Sequence, residues 1–361
     1  MRIGFDARMI THPGIGRYIR CLVPELAKQS PQDEFVLFGD PGRLKVIAKE
    51  TNTRIVNWDA PIYSVQEQLS FPYDREDIDL VHVPHFNAPV FCRKKMIVTI
   101  HDLIYLLFPE SVSFFAARWY ARLIMGVALR KASGVIAVSE HTRDDLVKIF
   151  GKKYEGKIKT IYEAADRVFS KVEDKSKIER VREKYDLAEK IILYVGSVKP
   201  HKNVSGLLEV YKELRKLGVP HQLVIAGRWD RKEDRLKRMI DRDKDIKYVG
   251  EVCQDDLVVL YSLSEALLHL SLYEGFGLTV LEAMQCGTPA VVSETSSLPE
   301  VVGEAGLAVS PLNVGQITDT VYNVLVNKEL KEGMVRTGLE RAKRFSWEKT
   351  ARLTMEVYRS V

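Results

Sequence analysis

The chain has 361 residues, which exceeds one ordinary domain and predicts two domains of about 150–200 residues each. Its 54 basic and 49 acidic residues give a net charge of +5, too balanced for a dedicated nucleic-acid binder. The four cysteines are far apart and form no CxxC pair, which argues against a disulfide framework or a zinc site.

The start of the sequence lacks the basic and apolar regions of a signal peptide. No apolar run approaches the roughly 18 residues that a membrane span requires. We therefore expect a protein of the reducing cytoplasm that is not an integral membrane protein.

The first half alternates short β-branched runs with helix-period segments, which is typical of parallel sheets covered by helices and predicts the α/β class. Strands are expected at residues 2–7, 34–38, 80–84, 96–100 and 134–138. A helix is expected after the first strand, with apolar positions Ile19, Leu22, Val23 and Leu26 at i, i+3, i+4 and i+7. Pro24 within it predicts a kink or an early end.

The second half repeats this pattern. Strands are expected at residues 191–196, 222–227, 246–250, 266–270 and 289–293. The following helix has apolar positions Val204, Leu207, Leu208 and Tyr211. Two Rossmann-like domains facing each other across a cleft are the predicted architecture, with an N-terminal domain at 1–165, a linker and first helix at 166–190 and a C-terminal domain at 191–345. A last helix at 346–361 follows, and its return to the N-terminal domain is left open.

Two glycine or lysine loops follow predicted strands. Gly14 and Gly16 in "PGIG" precede a helix start, where phosphates bind, but Ile19 replaces the third glycine of a dinucleotide fingerprint. The alternative is a tight turn that needs positive φ. In "GSVKPHKN", Lys199, His201 and Lys202 could neutralise a diphosphate, or they could be ordinary surface residues.

The segment "EGFGLTVLEAMQCG" follows the strand at 266–270 and carries Glu274 and Glu282. Gly275 and Gly277 allow a ligand close to the backbone, and the amides from Gly277 to Val280 would face a phosphate or sugar oxygen. We expect a helix capped by Thr279 and ended by Gly287, with Glu282 in its first turn. Two carboxylates around such a loop can hold two hydroxylated parts of one ligand, which indicates a sugar nucleotide.

Glutamate, seven residues and glutamate in the setting "YEGFGLTVLEAMQCGTPAVVSETSSLPEVVGEAG" resembles the signature of the retaining glycosyltransferases of family 4, which share the GT-B fold. Further matching segments are "FDARMITHPGIGRY" (5–18), "VTIHDLIYLLFPE" (98–110), "VIAVSEHTRDDL" (135–146), "LYVGSVKPHKN" (193–203) and "FSWEKTARLTMEVYR" (345–359). Within the family, "DAR…GIGRY", "HDL", "EGFGL" and "SSLPEVVGEAG" together most resemble the bacterial mannosyltransferases that build cell-surface polysaccharide. The resemblance implies mannose transfer from GDP-mannose to a glycan or lipid-linked saccharide.

In such enzymes the donor lies mainly on the C-terminal domain and the acceptor enters from the N-terminal one. The resemblance implies that Glu282 holds the ribose hydroxyls, that Glu274 contacts the transferred sugar and that Lys202 neutralises the diphosphate as the bond to the sugar breaks. The backbone that would line sugar and diphosphate belongs to Phe276, Gly277 and Leu278. No metal or other cofactor is implied, and the sequence shows no ligand cluster.

The chain departs from the family pattern in two respects: Ser197 and His201 stand where relatives often carry an arginine, and Thr279 stands where many carry proline. Diphosphate neutralisation would then rest on Lys202 with help from His201, Lys199 or Arg17. His101, at the end of a predicted strand, matches the family's cleft histidine and is expected to position the transferred sugar. A purely structural histidine is the alternative. Arg228 could contact base or phosphate, or lie on the surface.

The segment 114–132 combines aromatic residues with arginines. A helix packed on its own sheet is the first interpretation, and peripheral attachment to anionic headgroups at the inner face of the plasma membrane is the second. Three competing functions stay open: the same fold with UDP-glucose or another UDP- or ADP-sugar donor, a glycosidase that uses two carboxylates, and a non-catalytic sugar-nucleotide-binding subunit.

Overall fold

A computed structural model of the chain describes residues 1–108, 115–230 and 233–361. Phe114 of the segment 114–132, and Pro109 and Glu110 of the segment 98–110, lie outside the described residues. The chain divides into two compact units, one formed by Met1–Ala164 with Ser346–Val361 and the other by Ala165–Phe345.

The first unit is built on a seven-stranded sheet in the order β3-β2-β1-β4-β5-β6-β7, with every recorded strand pair parallel. Its strands are β1 (Arg2–Asp6), β2 (Glu34–Gly39), β3 (Thr53–Asn57), β4 (Leu80–Val83), β5 (Lys95–Ile100), β6 (Gly134–Ala137) and β7 (Ile158–Thr160). Its helices are α1 (Ile15–Gln29), α2 (Pro41–Leu44), α3 (Val65–Leu69), α4 (Ile104–Leu107), α5 (Phe115–Lys131), α6 (Glu140–Phe150) and the C-terminal helix (Trp347–Arg359).

The second unit has a six-stranded parallel sheet in the order β10-β9-β8-β11-β12-β13. Its strands are β8 (Ile191–Val195), β9 (Gln222–Ala226), β10 (Ile246–Gly250), β11 (Ala266–His269), β12 (Ala290–Ser293) and β13 (Leu307–Val309). Its helices are α7 (Lys175–Tyr185), α8 (Val204–Lys216), α9 (Asp234–Ile240), α10 (Gln254–Leu263), α11 (Leu278–Gln285), α12 (Leu298–Val302), α13 (Val314–Val326) and α14 (Lys328–Ala342). The predicted α/β class is confirmed.

Each sheet contains a point at which the strand order reverses. In the first unit β1 lies between β2 and β4, and in the second β8 lies between β9 and β11. Successive connections leave such a pair of strands in opposite directions, so a crevice opens at their carboxyl ends, where open α/β sheets bind ligands. The loops that follow β8 and β11 are therefore placed side by side.

Three strands were not predicted from the sequence, namely β3, β7 and β13. All three lie at the edge of a sheet, and β7 and β13 have only three residues each. An edge strand needs less buried apolar surface than a central one, so its sequence carries a weaker hydrophobic signal.

Helix α1 differs from its prediction at Pro24. The helix continues without a break from Ile15 to Gln29, although Pro24 lies inside it. Proline has no N–H, so Pro24 cannot donate a hydrogen bond to the Arg20 carbonyl. Pro24 is only partly buried and Arg20 is exposed, so water can supply the missing donor. The predicted apolar face is confirmed, because its four residues and the four of α8 are all buried.

The C-terminal helix packs against α1 within the first unit. Its Tyr358 hydroxyl lies 2.5 Å from Nδ1 of His82 on β4, and the other ring nitrogen of His82 lies 2.7 Å from the Thr99 hydroxyl on β5. All three side chains are fully buried. Burial lowers the pKa of His82 to about 3, so its ring is neutral and depends on these two partners.

We predict that Tyr358→Phe lowers the free energy of unfolding by about 1–3 kcal/mol, because it leaves a buried ring nitrogen without a partner. Urea unfolding followed by circular dichroism measures this change. Tyr322→Phe, at a partly buried tyrosine of α13, is the matched control and should change stability by less than about 0.5 kcal/mol. Equal effects of the two substitutions would contradict the structural role of the Tyr358 hydroxyl.

Candidate active site

The loops after β8 and β11 are joined at the strand-order reversal of the second unit. The loop after β8 ends in a short 3-10 helix, Pro200–Lys202, and Asn203 then starts α8 in a left-handed conformation with φ 52°. The Leu272 amide donates to the His201 carbonyl at 2.8 Å, which links the two loops directly. Lys202 is thereby fixed beside the segment that carries Glu274.

Lys202 and Glu274 form an ion pair at this junction. The lysine Nζ lies 2.6 Å from each carboxylate oxygen of Glu274. The side chains are 16% and 11% exposed, so the pair is largely removed from water but is still accessible. His269 Nε2 and the Ser271 hydroxyl lie 2.6 and 2.7 Å from the same oxygen, Oε1. One carboxylate is thus the shared partner of three side chains.

The charges of this site are fixed by their surroundings. Burial alone would raise the pKa of Glu274, but the attraction of Lys202 and the contact with His269 outweigh it and hold that pKa well below its usual range. Burial and the neighbouring Lys202 lower the pKa of His201 to about 4. His201 is 2% exposed, and its lowered pKa favours the neutral ring at neutral pH. Its help in neutralising a diphosphate stays a prediction.

The glycine loop after Glu274 is held by the Ser297 hydroxyl. The Ser297 hydroxyl donates to the carbonyls of Glu274 and Phe276, at 3.0 and 2.8 Å. Gly277 has φ +113°, and a Cβ there would lie 2.8 Å from Leu298 Cδ2, so both the turn and the packing require glycine. This loop brings the start of α11 directly after the Lys202–Glu274 pair.

The start of α11 differs from the prediction in two ways. The N-cap is Gly277, with no side-chain cap bond, and Thr279 lies inside the first turn with its hydroxyl 3.5 Å from Nδ1 of His269. The Val280 amide is bonded to the Gly277 carbonyl at 3.1 Å, so it is not available to a ligand. The amides of Gly277, Leu278 and Thr279 precede this first intrahelical bond and keep the predicted anion-binding position.

Glu282 lies deeper than Glu274. It is the fifth residue of α11, one turn further along the helix than predicted, and its side chain is fully buried. One of its carboxylate oxygens accepts from the Tyr261 hydroxyl at 3.0 Å. The two glutamates of the motif thus have different surroundings, since one is reachable from solvent and the other is part of the interior.

The remaining predicted positions of the second unit surround this site unevenly. The Ser197 carbonyl accepts from the Tyr194 hydroxyl at 3.0 Å, and the Val198 amide donates to the Arg228 carbonyl at 2.9 Å. A Cβ on Gly227 would lie 2.1 Å from the Gly196 carbonyl oxygen, so these neighbouring loops approach as closely as backbone allows. The side chain of Arg228 is exposed, which agrees with either of its two interpretations.

The predicted residues Gly14, Gly16, Arg17 and His101 lie in the first unit. The Gly14 φ of −83° excludes the positive-φ turn, and a Cβ on Gly16 would lie 2.3 Å from the Ile10 carbonyl oxygen. The amides of Ile15 and Gly16 are bonded to His12, and the Arg17 amide to Gly14. The amides of Ile15, Gly16 and Arg17 are thus bonded within the chain, and the phosphate contact at "PGIG" stays a prediction.

His101 follows β5 in the first unit. Its Nδ1 lies 2.9 Å from Glu163 Oε1 and its Nε2 lies 3.0 Å from the Pro84 carbonyl oxygen. Burial would lower the pKa of His101, but the Glu163 carboxylate outweighs it and the pKa is raised. Both partners are acceptors, so only the doubly protonated ring donates to both. His101 is therefore held in one orientation and favours the charged form.

Several residues of these sites were missed by sequence reasoning. They are His269, Ser271, Ser297 and Tyr261 around the two glutamates, and Glu163 beside His101. "HLS" at the end of β11 is a usable signal, since polar residues that end a buried strand point to a site. Glu163 and Tyr261 are distant in sequence from their partners and carry no such signal.

The first unit also brings together a possible metal-ligand group that the sequence does not show. Ligand atoms of Asp6, Glu67 and His85 lie within 4.8 Å of one another. Arg8 Nη2, however, lies 2.6 Å from both Asp6 and Glu67. A guanidinium therefore already balances the two carboxylates at this position.

The comparisons with known proteins agree with this geometry. Residues 13–168 match the family model described as Glycosyltransferase Family 4, and residues 175–341 match the model described as Glycosyl transferases group 1. The chain belongs to the family 4 glycosyltransferases. The predicted family resemblance is thereby confirmed, and the two matches meet close to the boundary between the two units.

Relatives and solved structures extend the comparison. The chain is 29% identical to O-antigen chain mannosyltransferase B of Escherichia coli, over 99% of this chain and 100% of that one. It is 26% identical to the serotype-specific mannosyltransferase WbdA of E. coli over 87% of this chain, but that match spans only 38% of WbdA. HepE of Anabaena, solved with UDP and glucose, superposes with a TM-score of 0.79 at 19% identity over the full length of both. The GT-B fold is confirmed.

We predict that Lys202→Met destabilises the protein by roughly 1–3 kcal/mol, because the largely buried Glu274 carboxylate loses its cation. Adding Glu274→Gln should recover part of this loss. Lys247→Met, which breaks an exposed pair with Asp186, is the control and should cost less than about 1 kcal/mol. Denaturant unfolding measures all three, and equal costs for Lys202→Met and Lys247→Met would be evidence against a central pair.

We predict that Glu163→Gln lowers the pKa of His101, because it removes the charge that raises it. Since the folded pKa lies above 6.5, the pair stabilises the fold fully below about pH 6.5 and progressively less as pH rises through the raised value. Nuclear magnetic resonance titration of the ring measures the pKa directly. Glu155→Gln, at an exposed partner of Arg143, should leave the pKa of His101 unchanged. An unchanged pKa of His101 in Glu163→Gln would refute the role of Glu163 in raising it.

Proposed function

We propose that the protein is a retaining hexosyltransferase that moves mannose from GDP-mannose to a glycan or lipid-linked saccharide in cell-surface polysaccharide synthesis. The observation that carries the proposal is the largely buried but reachable Lys202–Glu274 pair, placed between two loops and directly before the start of α11. The full-length similarity to an O-antigen mannosyltransferase supports mannose as the transferred sugar.

The pair offers the two contacts that a sugar nucleotide needs. The ammonium of Lys202 is placed to bind the diphosphate and to stabilise the charge that develops when the bond to the sugar breaks. The Glu274 carboxylate, kept ionised by its surroundings, accepts hydrogen bonds from hydroxyls of the transferred sugar. The amides of Gly277, Leu278 and Thr279 add neutral donors and the positive end of the helix dipole.

We assign two further roles. His101, fixed between Glu163 and the Pro84 carbonyl, positions the transferred sugar and does not act as a general base, because neither ring nitrogen is left to accept a proton. Glu282 supports the ribose end of the donor site. Because Glu282 is fully buried against the Tyr261 hydroxyl, a ribose contact requires the nucleotide to take the place of that hydroxyl.

A second candidate is the same reaction type with a UDP- or ADP-sugar as donor. The structure solved for HepE contains UDP and glucose. At 19% identity this likeness concerns the fold alone, so the base and the sugar must be tested directly. The names of the sequence-similar mannosyltransferases support mannose as the transferred sugar. GDP as its carrier is proposed from the family resemblance.

We also propose that the protein works at a membrane surface. No helix in the described ranges is long and apolar enough to span a bilayer. Helix α5 packs into the core of its own unit through Ala121, Ile124 and Met125, as the first interpretation predicted. Its outer face exposes Trp119 and Leu123, 64% and 66%, next to exposed arginines, which suits contact with anionic headgroups.

We predict that GDP-mannose, among GDP-, UDP- and ADP-sugars, releases nucleotide and yields a product with the anomeric configuration of the donor. Mass spectrometry measures release, and proton nuclear magnetic resonance measures the configuration. Glu282→Gln should weaken binding of free nucleotide, whereas Glu274→Gln should weaken binding of the sugar-bearing donor by about tenfold, roughly one charge-assisted hydrogen bond. The proposal fails if nucleotide is released from none of the sugar nucleotides. The division of roles fails if both variants lose the same affinity for free nucleotide.

A further inference from the structure

Four aromatic rings lie together in the first unit and have no role in the site described above. The ring centre of Tyr63 lies 5.9 Å from Phe86, 6.3 Å from Tyr105 and 6.4 Å from Tyr120. Phe86 and Tyr105 lie 5.5 Å apart. These four residues, called the aromatic cluster below, come from four separate parts of the chain.

The aromatic cluster lies at the functional edge of the first sheet. Phe86 stands three residues after the end of β4, and Tyr105 stands five residues after the end of β5. Both strands end at the edge where His101 also follows its strand. Strand order reverses between β1 and β4, so this edge is the ligand-binding position of an open α/β sheet.

Tyr63 presents its ring to solvent from an unfavourable backbone conformation. The residue is 44% exposed and has φ +66°, which costs a residue with a bulky side chain about 1–3 kcal/mol. Glu67 Oε2 accepts from the Tyr63 amide at 2.8 Å and holds this conformation. A bulky exposed side chain held at positive φ is characteristic of a functional position.

The support for Tyr63 extends into the interior. Glu67 is fully buried, and its other oxygen accepts from Arg8 Nη2 at 2.6 Å. Arg8 also donates to the Ala60 carbonyl at 2.9 Å and to Asp6 at 2.6 Å. The segment that carries Tyr63 is thus tied to the end of β1 by a buried set of charges, which gives the exposed ring a fixed position.

Polar groups accompany the rings. Tyr63 is only partly exposed, and the partial burial of its side chain together with the neighbouring Tyr105 raises its pKa, so its hydroxyl is protonated at neutral pH. The Tyr120 hydroxyl donates to Asn87 Oδ1 at 2.5 Å. A pyranose has an apolar face of C–H groups and a rim of hydroxyls, so it is complementary to an aromatic face that carries tyrosine hydroxyls.

We propose that the aromatic cluster is the binding subsite for a pyranose residue of the acceptor saccharide. The ring of Tyr63 packs against the sugar's apolar face. This inference rests on the proposed transferase function, because it assigns the second substrate of that reaction. The buried Arg8–Glu67 contact serves to position Tyr63 and touches no substrate.

Saturation-transfer nuclear magnetic resonance with α-mannobiose as the probe tests the subsite on the full-length protein. Tyr63→Asn removes the ring while keeping a residue that tolerates positive φ, so the fold is preserved or gains stability. The transfer signal should fall by about tenfold in Tyr63→Asn, because the lost aromatic contact corresponds to roughly 1.4 kcal/mol of binding free energy. The signal should persist in Tyr63→Phe, which keeps the ring. In the transferase assay the KM for the acceptor should rise without a change in nucleotide binding.

Phe91→Ala is the matched control, because Phe91 is a 62% exposed ring of the same unit that makes no ring contact with the cluster within the described ranges. It should retain the saccharide signal. A signal of wild-type size in Tyr63→Asn, an equal loss in Phe91→Ala, or no signal in the wild type would overturn the subsite. A Tyr63-dependent signal in a protein that binds no sugar nucleotide would support the subsite and reject the proposed transferase instead.

Discussion

The site of the second unit depends on one electrostatic constraint, the placement of Lys202 and Glu274 against each other in a region that excludes most water. A carboxylate that loses its hydration must be compensated locally or it takes up a proton. Here an ammonium, an imidazole and a hydroxyl gather around it. The carboxylate therefore stays charged, and its orientation is fixed by the protein itself.

This constraint explains features of the fold that otherwise look unrelated. The lysine and the glutamate are 72 residues apart in sequence, and they meet only because β8 and β11 are neighbours in the sheet. Ser297 fixes the backbone between Glu274 and Phe276, and Gly277 allows the sharp turn into α11. Each of these serves to bring one side chain, one loop and one helix start to a common point.

The two units apply the same physics with different outcomes. Both place charged groups at the carboxyl ends of strands where the strand order reverses. In the second unit the pair stays reachable, whereas in the first unit Arg8 and its two carboxylates are buried, with side-chain exposures of at most 3%. The reachable pair of the second unit is suited to binding a charged ligand. The buried charges of the first unit are suited to holding a loop in a fixed shape.

Much of the architecture could be predicted from the sequence, because central parallel strands are continuous apolar runs and α1 and α8 each carry a clear apolar face. The edge strands β3, β7 and β13 escaped, since their short sequences resemble loops. At the site, Glu274 and Lys202 could be singled out from loop composition. Their partners His269 and Ser271 end the buried strand β11 and could have been found from that position. The partner Tyr261 and the burial of Glu282 depend on side-chain packing that no local pattern encodes. The bonds from the amides of Ile15 and Gly16 to His12 likewise depend on a turn before α1 that no local pattern shows.

The return of the C-terminal helix to the first unit has a consequence for how the chain matures. Residues 165–345 form a continuous unit that can fold as soon as it leaves the ribosome, but the first unit buries Tyr358 against His82 and needs residues 346–361 to complete its core. During synthesis the earliest strands must therefore wait, incompletely covered, until the last helix arrives. A nascent chain stalled before that helix would expose the apolar side of α1 and be a natural client for chaperones.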